Sequence, residues 1–369
     1  ESRPEPEPDE ILKHLWFRGE APLQGGLRPE NATLAVEYGD AHPEGARINF
    51  IDAVRRTLEH EMRQNARMLV FGEDVGVKGG VHGATIDMME RFGPRRVFDT
   101  SLSEEGIIGR SVGMALAGLL PVPEIQFRKY ADPAHEQISD LGTLRWRTSN
   151  KFAAPVIARI PVGFGKTTGD PWHSVSGEAI FAHLLGWRIA YPSNAEDAVG
   201  LLRSALRGDD PTFFLEHRAL YDTAEGRRPY PGDDYCIPFG QANTLLHGDE
   251  LTLITWGAMV PRCLKAAEGF EGKVNLIDLR TIIPWDVETV LESVRHTGKV
   301  LVVHEDTITA GFAGEIMATI AEQAFTYLDA PLSRMAMADI PIPFNINAMD
   351  ALLPNRERIT AKIEDLLAF

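Results

Sequence analysis

From residue 49 onward the chain alternates between two kinds of apolar pattern. Over 50–64 apolar residues return every three or four positions with charges between them, which predicts a helix with one buried face. At 68–71 the run Met-Leu-Val-Phe is apolar throughout and too short for a helix, so it reads as a strand buried on both faces. The alternation continues with strands predicted over 96–99, 122–127, 155–160, 188–191 and 212–216. Helices over 85–92, 106–119, 133–148, 178–185 and 195–208 separate them. Strands joined through helices imply a parallel sheet covered on both faces. A Gly-, Pro- and Asp-rich stretch at 222–238 reads as a connection. A second alternation follows, with strands over 252–256, 274–279 and 300–304, helices over 260–270, 287–295 and 313–326, and a closing helix over 356–367. The fold class expected is α/β, with two domains that are each a mostly parallel sheet with flanking helices. Their bounds are 48–225 and 246–369, with 226–245 between them.

Residues 1–47 stand outside this pattern. They open on an acidic, Pro-rich run that is expected to be extended, with one short helix around 11–18. The start on Glu1 is read as a cleaved product or a segment of a longer polypeptide. The formal net charge of −16 leaves nothing to neutralise phosphates along a groove, which argues against nucleic acid. No apolar run reaches the roughly 18 residues that a membrane span needs, and the start is no signal peptide. Two cysteines, Cys236 and Cys263, make neither a disulfide framework nor a Cys-rich metal site, so a reducing, cytoplasmic setting is expected.

The chemistry concentrates at 99–107, Asp-Thr-Ser-Leu-Ser-Glu-Glu-Gly-Ile. Glu104 and Glu105 fall between a short strand and the mouth of an almost wholly apolar helix. A half-desolvated carboxylate there is a candidate for proton transfer. Ser101 and Glu104 equally fit a capping box, which satisfies orphan amides without chemistry, and from these residues alone both readings stand. Other motifs fall away. Gly165-Lys166-Thr167 lacks the earlier glycine of a phosphate loop, because position 160 is Ile. No zinc-protease, EF-hand or nucleophile-elbow pattern occurs, and His304-Glu305 reads as a strand-end pair.

Several separate segments share one order and spacing: Gly72-Glu73-Asp74, Glu104 with its helix, Glu124-Ile125-Gln126-Phe127, Tyr130, His173-Ser174, and Asp278-Leu279-Arg280. Through them the chain, from about 48 to 369, resembles the beta subunit of the thiamine-diphosphate-dependent 2-oxoacid dehydrogenases, the first components of the pyruvate and branched-chain complexes. The resemblance implies a transketolase-like pyrimidine-binding domain followed by a transketolase C-terminal-like domain. It implies that Glu104 holds N1′ of the cofactor's aminopyrimidine, so that the cofactor's own amino group becomes the base. Glu105 occupies a position usually small or apolar, which leaves two carboxylates in play. Gln126 and Tyr130 would bracket the pyrimidine, Leu102 would form its apolar wall, and His173 would manage charge or protons during reductive acylation. The loop before His173 departs from the family's glycine-dense form at Lys166, Asp170, Pro171 and Trp172. A structural monovalent cation, K⁺, is implied near Ala154, Ile157, Ala205 and Asp210.

The diphosphate and its Mg²⁺ call for a Gly-Asp-Gly segment, which this sequence lacks. An alpha-type subunit or domain is therefore expected to hold them, in an alpha2beta2 assembly that serves a lipoyl-bearing acyltransferase. The substrate expected is a branched-chain 2-oxoacid, with pyruvate as the other reading, and the setting is the cytoplasm or, in a eukaryote, an organelle matrix. A self-contained transketolase-like synthase and a non-catalytic structural subunit are the competing readings. The first would require its own diphosphate ligands.

Overall fold

Asn49 starts the first long helix in the way the pattern requires: its side chain accepts the amide N–H of Asp52 at 2.7 Å, which satisfies an orphan donor. The computed structural model describes residues 7–19, 22, 36–165 and 169–369. After the short strand β1 (Arg47–Ile48) come α1 (Phe50–Gln64), β2 (Met68–Gly72), α2 (Met88–Phe92), β3 (Val97–Asp99) and α3 (Glu104–Leu116). The first half continues with β4 (Leu120–Glu124), α4 (His135–Arg147), β5 (Ile157–Val162), α5 (Glu178–Ala182), β6 (Arg188–Ala190), α6 (Ala195–Arg207), β7 (Thr212–His217) and β8 (Arg228–Pro229). The second half comprises β9 (Asn243–Leu246), β10 (Gly248–Thr255), α7 (Met259–Ala266), β11 (Gly272–Asp278), β12 (Thr281–Ile283) and α8 (Val287–Thr297). It closes with β13 (Val300–Thr307), α9 (Ala313–Ala324), β14 (Ser333–Met337), α10 (Ile346–Leu352) and α11 (Arg356–Leu367).

Two α/β domains result, each built on a mostly parallel sheet. The larger sheet runs β12-β6-β7-β5-β4-β2-β3, and the smaller runs β14-β13-β10-β11-β9. β2, β4, β5 and β7 are buried along their whole length, which explains their largely apolar sequences, and the charges they carry at Glu124, Arg159 and Glu216 are buried with them. Three strands of these two sheets escape sequence reading. β9 is antiparallel to β11 at the edge of the smaller sheet, and β14 is a partly exposed edge strand. β12 is only three residues long, yet it leaves the C-terminal half and pairs antiparallel with β6 of the larger sheet.

Other expectations need correction. The helix expected around 11–18 is absent, and only a single tight turn, Pro8–Glu10, forms. The helix expected over 85–92 begins at Met88, because Asp87 takes a left-handed backbone (φ 62°). The strand expected over 122–127 starts and stops earlier, at Leu120–Glu124. The chain then leaves the sheet through a tight turn at Arg128–Ala134 before α4. The stretch at 226–245 is structured in part: β8 pairs with β1, and β9 joins the smaller sheet.

The faces between the two sheets are unusually acidic. Glu178, fully buried at the start of α5, accepts from Ser176 Oγ (2.6 Å) and Trp256 Nε1 (3.0 Å). His217 of β7 is hydrogen-bonded to Glu305 of β13, and Arg280 pairs with Asp197 at 2.8 Å. Burial pushes the Glu178 carboxyl up to about 8, with Asp306 adding to the rise. The folded state therefore holds a proton that the unfolded chain releases near 4.5, so stability contributed by this group falls as pH rises through that window. Glu178→Gln is expected to flatten the slope: urea midpoints measured from about pH 5 to about pH 8 will drop less in the variant than in the parent chain.

Candidate active site

In parallel α/β sheets the loops after the strands' C-terminal ends converge, and functional side chains collect there. Here the loops after β2, β3, β4 and β5 form one such edge. The Asp99 carboxylate ties two of them together by accepting the amides of Gly76 (2.6 Å) and Val77 (3.2 Å).

The start of α3 separates the two adjacent carboxylates. Ser103, not Ser101, is the N-cap: its Oγ accepts the Gly106 N–H at 3.3 Å and hydrogen-bonds the Glu105 carboxylate at 3.1 Å. The capping box expected from Ser101 and Glu104 therefore does not form, and Glu105 is the exposed member of the pair, bonded to the capping hydroxyl. Glu104 is half-buried and makes no hydrogen bond or ion pair among the described residues.

Its charge acts on Glu73, which follows β2 directly. Glu73 is 7% exposed, and its Oε1 is buried with no hydrogen-bond partner among the described residues. Burial raises its pKa, and the charges of Glu104 and Asp74 raise it further. Sequence reading assigned Glu73 no role. The available signal was a carboxylate placed immediately after a strand apolar on both faces.

Gln126 lies against the same loop, with its Nε2 donating to the Glu73 carbonyl (3.3 Å) and to Asp74 Oδ2 (3.2 Å). Phe127 is the centre of an aromatic cluster, 5.4 Å from the Tyr130 ring and 4.4 Å from the His173 ring. The Tyr130 hydroxyl is 2.7 Å from His173 Nε2, and His173 Nδ1 is 3.0 Å from Asp170 Oδ2. Burial raises the Tyr130 pKa, and the charges of Asp170, Glu104 and Glu73 add to it, so this phenol stays protonated at neutral pH. Leu102, expected as an apolar wall, is 86% exposed at the rim. Glu104, Gln126, Tyr130 and His173 thus share one edge, with Glu73 and Asp170 added to the set.

The His173 loop is braced from below. Arg218 donates to the Gly163 carbonyl (2.9 Å) and to Ser174 Oγ (3.2 Å) while its guanidinium lies over Phe127. Gly163 is obligatory, since a Cβ there would come within 2.1 Å of His217 Nε2 at φ 73°. Beneath the loops, Arg159 is fully buried between Glu124 (2.8 Å) and Glu216 (2.7 Å).

The residues expected to cradle a monovalent cation lie at the opposite edge, where β5 and β7 begin. The Asp210 carboxylate there is engaged by Arg188 Nε (2.7 Å) and the Phe17 amide (2.8 Å). A cation at Ala154, Ile157 and Ala205 would have to rely on carbonyl oxygens. Among the described residues no group of three or more metal-ligating side chains occurs, and no helix is long and apolar enough to cross a membrane.

Known proteins share this layout. Residues 46–223 match the transketolase pyrimidine binding domain, and residues 240–359 match the transketolase C-terminal domain. The split-gene transketolase solved as an inactive beta4 tetramer superposes with a TM-score of 0.69 over 87% of this chain and 99% of that one. At 18% identity the likeness concerns the fold alone. The class is therefore the transketolase-like α/β proteins. Within it, the 2-oxoisovalerate dehydrogenase subunit beta of Bacillus subtilis is 40% identical over 327 residues, 87% of this chain and 99% of that subunit. The pyruvate dehydrogenase E1 component subunit beta of Staphylococcus aureus is 38% identical over 328 residues, 88% of this chain and all of that subunit. The chain belongs to the family of 2-oxoacid dehydrogenase E1 beta subunits.

Removing Arg159 strands two buried carboxylates under the loops. Arg159→Met is expected to cost about 3–5 kcal/mol near neutral pH, with the deficit shrinking as acid protonates Glu124 and Glu216. Denaturant unfolding across pH measures both.

Proposed function

We propose that this chain supplies the aminopyrimidine-binding half of a thiamine-diphosphate-dependent 2-oxoacid dehydrogenase, with Glu104 as its catalytic carboxyl. The observation that carries the reading is the state of Glu104: half-buried, left out of the helix cap that Ser103 makes, and close enough to the buried Glu73 for its charge to raise that carboxyl's pKa. A carboxyl in that position is free to share a proton with a ring nitrogen, so the residues present fit the cofactor's aminopyrimidine. Bound thiamine diphosphate supplies a nucleophilic carbon that attacks the 2-oxo group and allows loss of carbon dioxide.

The chain's own residues prepare for that chemistry. Glu104 holds and returns a proton at N1′. Burial, with the negative charges of Glu104 and Asp74 adding to it, raises the Glu73 carboxyl, so it keeps its proton to higher pH than a free glutamate. Gln126 and Tyr130 orient the ring from either side, and Leu102 offers it an apolar contact that is exposed in the chain alone. His173, with Nε2 at the Tyr130 hydroxyl, serves the later transfer of the acyl group to a lipoyl arm. The diphosphate and Mg²⁺ fall to an alpha-type partner in an alpha2beta2 assembly, and the substrate class is the branched-chain 2-oxoacids.

In the enzyme assembled with its alpha partner, Glu104→Gln is expected to lower decarboxylation by more than about 100-fold, whereas Glu105→Gln changes it by less than about threefold. The reverse order would assign the catalytic carboxyl to Glu105. Calorimetry of the isolated chain with thiamine diphosphate and Mg²⁺ should show no micromolar binding until the partner is added. Tight binding by the chain alone would overturn the split site. Steady-state assays on 3-methyl-2-oxobutanoate and pyruvate decide the substrate, with higher kcat/KM expected for the branched acid.

A further inference from the structure

Asp170 stands where the family's loop is otherwise dense in small residues, and the structure gives it a specific task. Its Oδ1 accepts the amide N–H groups of Trp172 (2.8 Å) and His173 (2.7 Å), while its Oδ2 lies 3.0 Å from His173 Nδ1. Its own amide donates to Ser174 Oγ at 3.1 Å, and the Ser174 amide returns a bond to the Asp170 carbonyl. The carboxylate is thus held by three local bonds and the residue's backbone by two more. Burial raises its pKa, but the amides of His173 and Trp172 and the His173 ring outweigh burial and hold it below the ordinary range. An ionised carboxylate only accepts, so the nitrogen it faces must carry the hydrogen. Across the ring, Nε2 meets a phenol whose raised pKa keeps it a donor.

We propose that Asp170 is a positioning residue that holds His173 as the Nδ1–H tautomer and presents a basic Nε2 to Tyr130 and the cleft. A proton accepted at Nε2 makes the ring imidazolium while Nδ1–H stays on the Asp170 carboxylate. Return of that proton restores the neutral ring, with nothing consumed. The catalytic consequence rests on the reading of His173 as the group that serves acyl transfer. The tautomer itself does not.

The geometry supplies an unusually direct test. An asparagine at 170 must keep its oxygen on the two backbone amides, so its NH₂ group would face His173 Nδ1. That nitrogen would then have to accept, and the hydrogen would move to Nε2. ¹⁵N-histidine spectra of the full chain, with His173 signals identified by their loss in His173→Ala, should show hydrogen on Nδ1 in the parent and on Nε2 in Asp170→Asn. Asp170→Ala, which offers neither acceptor nor donor, should populate both forms. In the enzyme assembled with its alpha partner, Asp170→Asn should lower the rate with a lipoyl domain as acceptor about 100-fold and cut the rate with an artificial electron acceptor far less.

Hydrogen on Nε2 in the parent chain overturns the inference without any variant. So does an unchanged tautomer in Asp170→Asn, whereas a switched tautomer with an unchanged lipoyl rate leaves the positioning role standing and overturns the acyl-transfer reading of His173. If the tautomer switches and both assays fall equally, the positioning role stands and the acyl-transfer reading of His173 is overturned instead.

Discussion

The buried ion cluster of Glu124, Arg159 and Glu216 is the constraint on which the candidate active site depends. One guanidinium on β5 bonds a carboxylate from each neighbouring strand, β4 and β7, at the level where the chain leaves the sheet. The Tyr221 hydroxyl adds a donor to Glu216 at 2.9 Å. Desolvating three charges is costly, and such clusters seldom add net stability over an apolar filling. What this one provides is register. The loop from β4 carries Gln126 and Tyr130, the loop from β5 carries His173, and a slip of one residue between those strands would part them.

Much of this could be read from the chain. The two-domain α/β class followed from apolar runs spaced by amphipathic helices, and the long helices α1 and α6 agree with their patterns because Asn49 and Asn194 cap them where the periodicity starts. What escaped reading was short or depended on partners. β12 and β14 carry too few residues for a period, and their existence is decided by neighbours far away in sequence. The strand around 122–127 was drawn too late because Ile125 and Phe127 are as apolar as a strand. Ile125 makes the last cross-strand bond, its amide donating to the Arg159 carbonyl, and Phe127 is buried beyond it at the turn that leads to α4.

The site shows the same division. Glu104, Gln126, Tyr130 and His173 were recognisable by their order, yet no pattern could say which of two adjacent carboxylates the cap would claim. A shift of the N-cap from Ser101 to Ser103 decides it, a matter of backbone geometry in one turn. Glu73 and Asp170 passed unassigned for a different reason. Each matters only through what faces it, an unpartnered carboxylate near Glu104 in one case and an imidazole nitrogen in the other.

The crossing strand β12 has a mechanical consequence. Because residues from the C-terminal half complete the outer edge of the larger sheet, the halves cannot swing apart without stripping a strand from its neighbour and exposing the acidic contacts behind it. Hinge opening, common where two domains flank a cleft, is thereby closed to this chain. The bend that carries His173 is tied to that frame by Arg218 at Ser174, by the Val175 carbonyl on the Gly163 amide and by the Tyr130 hydroxyl at His173, so it moves with the frame.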